Sequence, residues 1–453
     1  MSTLSIINPS TEEQVRTVEM LDVEQTDQAI ARSSKASPQW RAVTPADRAR
    51  LLRRFSEVVD SHLEELAQLE VANSGHTIAN ARWEAGNVRD VLAYYSGGPE
   101  RHSGRQIPVA GGVDITFYEP LGVVGIIVPW NFPMPIAGWG LGPALAAGNT
   151  VVLKPATLTP LTAMRLAELA LEAGIPEHVF QVLVGDGASV GYRFVTHPAV
   201  RKVCFTGSNE AGRKIMAGCA EQVKRVTLEL GGKSANIIFA DANLEKAAAM
   251  APYAVFDNAG QDCCARSRIL VEEKAYDRFM ELFEVAVKAV KVLDPSSEAS
   301  EMGPLITAAQ KQSVAAYVEE ENVAFRGSAP EGPGYWFAPT VLETPSRASR
   351  AFNEEIFGPV VSVVRFRDEA EALEIANDSP YGLSGSIWSR DIGKALRVAR
   401  GVETGALSVN SNSSVRYSTP FGGFKQSGIG RELGPDALLG FSEEKNVFLS
   451  TEE

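Results

Sequence analysis

Between residues 121 and 239, short apolar runs alternate with stretches whose apolar positions recur at helical spacing. The runs at 151–153, 181–184 and 203–205 predict strands, and the stretches at 161–173, 188–196 and 210–217 predict the helices between them. Such alternation implies a parallel sheet covered by helices, because parallel strands need a crossover and a helix supplies it. After Gly231 and Gly232 a second unit of the same kind follows, with helices at 243–256, 274–290, 308–321 and 392–400 and strands at 269–271, 360–366 and 383–388. Upstream, Thr44-Pro45-Ala46-Asp47 reads as a capped helix start, and Leu51, Leu52, Phe55, Val58, Val59 and Leu63 follow on one helical face. Residues 78–95 repeat that pattern. The segment up to about Ser37 reads as short strands and a helix that cover a domain. Residues 106–120 alternate around Gly111-Gly112 and predict a β-hairpin, and 444–449 predicts a strand.

A chain of 453 residues exceeds one ordinary core, so two domains and a minor third element are expected. Hydrophobic residues at 45% and charged residues at 22% are those of a soluble globular protein. A net charge of −13 would repel nucleic-acid phosphates, which excludes that class of partner. The N-terminus has no basic segment followed by an apolar one, and no apolar run reaches about 18 residues, so neither a signal peptide nor a membrane partner is expected. Cys204, Cys219, Cys263 and Cys264 form no spaced framework, which fits a reducing cytoplasm. Adjacent cysteines without a CxxC spacing or histidine partners do not suit zinc, and no metal is expected.

Cys263 lies in FDNAGQDCCARSR, residues 256–268, a turn-forming polar segment between a predicted helix and strand. A loop thiol near backbone N–H groups can become a thiolate and attack carbonyl carbon. Alone, a Cys-Cys pair is more often inert packing. VPWNFP (128–133), LELGGKS (228–234), EEIFGPV (354–360) and PFGGFKQSG (420–428) accompany it. Through nearly the whole chain and in this order, these motifs resemble the aldehyde dehydrogenase superfamily, in its hydrolytic branch that does not acylate coenzyme A. The resemblance implies an α/β fold with a Rossmann-like cofactor domain (1–103 and 121–230), a second α/β catalytic domain (231–428) and a small β oligomerisation element (104–120 and 429–453). It further implies a homodimer or homotetramer, with the hairpin reaching a neighbouring subunit and the C-terminal strand pairing across the same interface.

Oxidising an aldehyde requires a nucleophile, since the bare carbonyl has no hydride it gives up readily. By resemblance Cys263 is that nucleophile, forming a thiohemiacetal, and Asn131 with the Cys263 N–H stabilises its oxygen. Glu229 matches the base that activates water against the thioester; its bland alternative is a buried salt bridge. Cys264 matches a non-catalytic neighbour. Thr206-Gly207-Ser208, with Gly212 four residues after the serine, ends a strand and opens a helix where a pyrophosphate can meet backbone N–H groups. Lys154 matches the contact to the adenosine ribose, Glu355 and Phe357 those to the nicotinamide ribose and ring, and Pro129, Trp130 and Leu230 line the same crevice. NAD-preferring relatives carry an acid where this chain has Thr157, so NADP is expected to be accepted alongside or in place of NAD.

By register with the motifs, Phe132, Ile136, Trp139, Phe421 and the loop 412–419 line the aldehyde tunnel. Asp262 immediately precedes the nucleophile, Asp257 takes a tunnel position that is often aromatic in relatives, and Glu84 is expected at the mouth. These acids point to a cationic substrate such as an aminoaldehyde. Arg416 points instead to a carboxylated semialdehyde, unless it pairs with Asp257 or Asp262; an aromatic aldehyde is a third option. An acid beside the nucleophile would raise the thiol pKa, so Asp262 is expected to turn away or be compensated. Another class, a thiol esterase without hydride transfer, would leave the dinucleotide turn without a purpose. A non-catalytic protein on this fold conflicts with Cys263, Glu229, Asn131 and Lys154 all being present.

Overall fold

The computed structural model describes residues 2–343, 346–413 and 415–452. Two sheets organise the chain. The first has six strands, in the order Gly428–Ile429, Arg225–Glu229, Val200–Thr206, Val123–Ile127, Thr150–Lys154 and Phe180–Val182. All its pairings are parallel except that of Gly428–Ile429, which joins antiparallel at Glu229 and Leu228. Val123–Ile127 and Thr150–Lys154 are buried along their whole length, as parallel strands covered on both faces must be.

The second sheet has seven strands, in the order Val323–Arg326, Thr340–Glu343, Val360–Phe366, Arg268–Glu272, Ala235–Ile238, Ser384–Trp388 and Ala406–Val409. Only the edge pair formed by its first two strands is antiparallel. The βαβ alternation expected on either side of Gly231-Gly232 is therefore present.

The helix Pro45–Ser61 begins where the sequence places it, with Thr44 Oγ1 accepting from the Asp47 N–H at 3.2 Å. Ile78–Ser96 and Leu244–Phe256 also match the expected spans. Residues 188–196 split into a wide turn at Gly187–Gly191 and a short helix Tyr192–Thr196. Periodicity gave no sign of the helix Pro133–Ala146. All its residues are buried, so it has no polar face to alternate with the apolar one. Its glycines let it lie close to Ile78–Ser96: a Cβ on Gly142 would sit 3.0 Å from Val91 Cγ1.

The hairpin forms from Gln106–Val109 and Gly112–Pro120, with Gly111 at φ +73 in the turn. The C-terminal strand Ser442–Ser450 pairs antiparallel with Gly112–Pro120 of its own chain and forms the outer strand of that sheet. The register, from Ser442 opposite Pro120 to Ser450 opposite Gly112, uses the hairpin's free edge completely. Among the described residues no helix is long and apolar enough to cross a membrane.

Candidate active site

The loop after the helix Leu244–Phe256 turns through three residues at positive φ: Asn258 (50), Ala259 (54) and Gly260 (70). Two are not glycine, a conformation that persists only where the surroundings enforce it. Asn258 Nδ2 donates to the Asn131 carbonyl at 2.8 Å, Gln261 Nε2 donates to the Asn258 carbonyl at 3.1 Å, and the Ile306 N–H donates to Gln261 Oε1 at 2.9 Å. At Gly260 a Cβ would fall 2.1 Å from the Gly358 carbonyl oxygen. Beyond the turn, buried Arg266 donates to the Cys264 carbonyl at 2.8 Å and the Asn412 carbonyl at 2.9 Å. The outcome is a fixed turn with Cys263 on the cavity and Cys264 buried beside it.

That cavity, about 230 Å³, is lined by Pro129, Trp130, Asn131, Glu229, Cys263 and Glu355, with Thr206 to Ser208, Leu230, Gly231 and Phe357 completing it. Asn131 Nδ2 donates to the Gln261 carbonyl at 2.9 Å, which uses one of its two amide hydrogens and leaves the other for a ligand. Glu229 ends the strand Arg225–Glu229 and is 3% exposed, and neither carboxylate oxygen has a hydrogen-bond partner among the described residues. Among the described residues it forms no salt bridge. Burial, then the nearby Glu432, pushes its carboxyl well above the ordinary range, against an opposing pull from Arg431. Sequence reasoning missed Glu432, whose own carboxyl is raised by burial to about 7. It follows the last motif by only four residues, and nothing in its local pattern marks it as buried.

The Cys263 thiol is not poised as a thiolate. A hydrogen bond with Cys264, burial, and the charges of Asp262 and Glu355 all push it up. Gly232 packs against this turn, and a Cβ there would fall 2.2 Å from the Cys263 carbonyl oxygen.

A second cleft of about 960 Å³ adjoins the cavity and shares Pro129, Trp130, Thr206, Gly207 and Ser208 with it. Lys154 and Thr157 line its far part. Lys154 Nζ donates to the Pro155 carbonyl at 2.9 Å, and burial lowers its pKa to about 8. Ser208 caps the helix Asn209–Ala220, accepting from the Ala211 N–H at 3.3 Å. Gly212 does not line either space. A Cβ there would meet Leu230 Cδ2 at 2.6 Å, so the glycine lets the helix lie close to the sheet. Glu355 Oε1 accepts from the Gly232 N–H at 2.9 Å, and burial raises its carboxyl to about 7. Phe357, at φ +56, stands edge-on to Trp130 with ring centroids 5.3 Å apart. A long cleft with a helix start and a cation in one part and a carboxyl and two aromatic rings in the other suits a dinucleotide.

The family model for the aldehyde dehydrogenase family matches residues 1–447. The chain belongs to the aldehyde dehydrogenase family. It is 39% identical over 460 residues to betaine aldehyde dehydrogenase of Bacillus subtilis (strain 168), covering 99% of this chain and 94% of the relative. It is 38% identical to an aldehyde dehydrogenase of Emericella nidulans, covering 98% and 91%. Among solved structures, betaine aldehyde dehydrogenase from Staphylococcus aureus in complex with NAD+ superposes with a TM-score of 0.96 at 36% identity, covering 100% of this chain and 92% of that one. A putative aldehyde dehydrogenase from Burkholderia cenocepacia gives 0.97 at 38%, covering 100% and 94%. This chain is thus an NAD(P)-dependent oxidoreductase acting on aldehydes.

Phe132, Ile136, Trp139 and Phe421, expected to line the aldehyde tunnel, gather in one apolar cluster together with Cys263. Trp139 and Phe421 meet at 5.3 Å, and Trp139 Nε1 donates to Asn87 Oδ1 at 2.8 Å. Of the loop 412–419, Ser414 lies outside the described residues. Several expectations need correction. Glu84 is not at the mouth: it is 0% exposed and hydrogen-bonded with His76, because its face of the helix Ile78–Ser96 turns inward. Arg416 is exposed and forms no ion pair with Asp257 or Asp262 among the described residues. Asp262, as expected of an acid beside the nucleophile, turns into its own loop and is compensated there. Its Oδ1 accepts from the Cys264 N–H at 2.8 Å, and Arg266 partly offsets the rise that burial gives its carboxyl. Asp257 is half-buried, accepts from Asn80 Nδ2 at 2.5 Å, and is raised by burial to about 6.

Proposed function

We propose that this aldehyde dehydrogenase oxidises a cationic aldehyde, with Cys263 as nucleophile, Asn131 as oxyanion donor and Glu229 as base. The carrying observation is the single cavity in which the three meet, opening into the long cleft. Because the Cys263 thiol is held protonated, it needs a base before it attacks, and Glu229, free of partners and raised by burial, suits that task. Attack on the carbonyl carbon gives a thiohemiacetal whose oxygen takes the second Asn131 amide hydrogen and the Cys263 N–H. Bound in the cleft, the nicotinamide supplies the hydride acceptor. Lys154, Thr157, Ser208, Glu355 and Phe357 would hold that dinucleotide, with Pro129, Trp130, Gly207 and Leu230 forming its walls and Gly212 supporting the helix start. Loss of that hydride leaves a thioester; Glu229, its first proton passed to solvent, then takes a proton from the water that hydrolyses it, and the acid leaves as the Cys263 sulfur takes a proton back.

Asp257 supports the cationic substrate: it is negative above about pH 6 and half-buried beside the nucleophile's loop, with no cation paired to it among the described residues. The name of the Bacillus relative, a betaine aldehyde dehydrogenase, agrees with this choice. The semialdehyde alternative loses its main support with Arg416 exposed. Thr157 beside Lys154 supports acceptance of NADP. We infer further that the division into cofactor (1–103, 121–230), catalytic (231–428) and oligomerisation (104–120, 429–453) parts holds, and that the protein is a cytoplasmic homodimer or homotetramer. Exposed Ile107, Phe117, Phe448 and Leu449 on the hairpin sheet support an interface there, and the free thiols support a reducing compartment.

The test is reduced-cofactor absorbance with NAD and NADP against a 4-aminoaldehyde, a 4-carbon semialdehyde and an aromatic aldehyde. A higher kcat/KM for the aminoaldehyde, lost in Asp257→Asn, is expected. Equal or better turnover of the other two would overturn the substrate assignment, and no Cys263-dependent reduction with any aldehyde would overturn the mechanism.

A further inference from the structure

Away from the cavity, the helices Leu63–Ser74 and Ile78–Ser96 and the turn between them bury three titratable side chains together. Glu70, His76 and Glu84 are at most 4% exposed, and one ligand-type atom from each lies within 4.8 Å of the others. His76 Nδ1 is hydrogen-bonded with Glu84 Oε1. The His76 ring also stands near enough to the main chain of Asn131 for that segment to favour ring protonation, as a nearby carbonyl oxygen does. Its centroid lies 5.6 Å from that of Phe132, the next residue. The Asn131 carbonyl accepts from Asn258 Nδ2 as well, so the segment carrying Asn131 is held between the cysteine loop and His76.

We propose that Glu84 and His76 form an uncharged hydrogen-bonded pair that positions Asn131. The Glu84 carboxylic acid donates to His76 Nδ1, which fixes the tautomer with the proton on Nε2, and Nε2–H donates to the Asn131 carbonyl. Both are positioning residues, and the inference rests on Asn131 being the oxyanion donor.

Three observations favour the uncharged form. Glu84 Oε2 has no partner among the described residues, and a neutral acid tolerates a buried orphan oxygen far better than a carboxylate does. Burial raises the Glu84 and Glu70 carboxyls, the latter to about 7, and lowers the imidazole. The charged groups facing the pair, Glu70 and Asp257, are themselves acids, so each further negative charge is opposed. The same three residues could instead bind a divalent metal. Against that, both Glu70 oxygens are engaged, Oε1 by Asn73 Nδ2 at 3.3 Å and Oε2 by Thr162 Oγ1 at 2.6 Å.

The experiment compares Glu84→Gln, Glu84→Ala, His76→Phe, Asn131→Ala and the double variant His76→Phe/Asn131→Ala in single-turnover formation of reduced cofactor. Melting curves and metal analysis of the purified full chain accompany it. An amide donates the same hydrogen bond as a neutral acid, so Glu84→Gln is expected within about twofold of wild type. His76→Phe keeps the ring but not its hydrogen bonds and is expected to slow the step roughly 10- to 100-fold, with KM for the dinucleotide unchanged. In the Asn131→Ala background His76→Phe should add nothing, which a merely structural role would not produce. The proposal is overturned if His76→Phe turns over at the wild-type rate while Asn131→Ala does not, or if Glu84→Gln is as slow as Glu84→Ala. Stoichiometric divalent metal that disappears in Glu84→Gln would overturn it in favour of a metal site. Full activity of Asn131→Ala would instead remove the oxyanion assignment on which it rests.

Discussion

Glu229 keeps two carboxylate oxygens without hydrogen bonds in a nearly water-free place, a costly arrangement for a group with a purely structural role. Glu229→Gln is therefore expected to slow the burst of reduced cofactor and to lower steady-state turnover by ~100-fold or more; a burst at the wild-type rate would remove it from activation of Cys263, and wild-type steady-state turnover would remove it from deacylation. Asp257, raised to about 6, gives a second outcome. As pH falls through that value the carboxylate is protonated, so KM for an aminoaldehyde is expected to rise between about pH 7 and 5, while KM for a neutral aromatic aldehyde stays level. A parallel rise for both would separate Asp257 from recognition. Thr157 was legible from the sequence because its place relative to Lys154 is fixed by a short motif. Thr157→Glu is expected to disfavour NADP relative to NAD by about tenfold or more, read from the ratio of kcat/KM values, since a carboxylate repels a 2′-phosphate.

At the scale of elements, the turn at 257–266 is held from several sides by groups distant in sequence: Asn131, Ile306, Gly358 and Asn412. Gly232 shows how tight that support is. Gly232→Ala would place a Cβ against the Cys263 carbonyl, and backbone cannot yield there as a flexible side chain could. Its expected result is a lower melting temperature and a kcat reduced about tenfold or more; wild-type values for both would mean that the turn adapts. The predicted helices with a polar face were recovered. The buried helix Pro133–Ala146 was not, because periodicity reports a boundary between water and core, and this helix crosses none.

For the whole molecule, buried carboxyls set how stability responds to pH. Glu70 and Glu432 are both raised to about 7, so the unfolded chain loses their protons first as pH rises from about 4.5. Over that window the folded state binds more protons than the unfolded one, and the contribution of these groups to stability falls until pH passes about 7. Glu70→Gln and Glu432→Gln are each expected to flatten that slope in denaturant titrations run from pH 5 to 7.5; an unchanged slope would mean that these groups do not titrate differently on folding. The sequence by itself determined the α/β class, the two runs of alternating strands and helices, and the motifs around Asn131, Lys154, Glu229, Cys263 and Glu355. Those properties depend on spacing along the chain, which local steric and hydrophobic periodicity preserve. Only the tertiary structure decided that Glu84 is interior, that Arg416 faces solvent, that Glu432 lies beside Glu229, and that the C-terminal strand pairs at home. Each depends on which segments, up to hundreds of residues apart, come to share one desolvated space, and charge or polarity in a single segment carries no record of that.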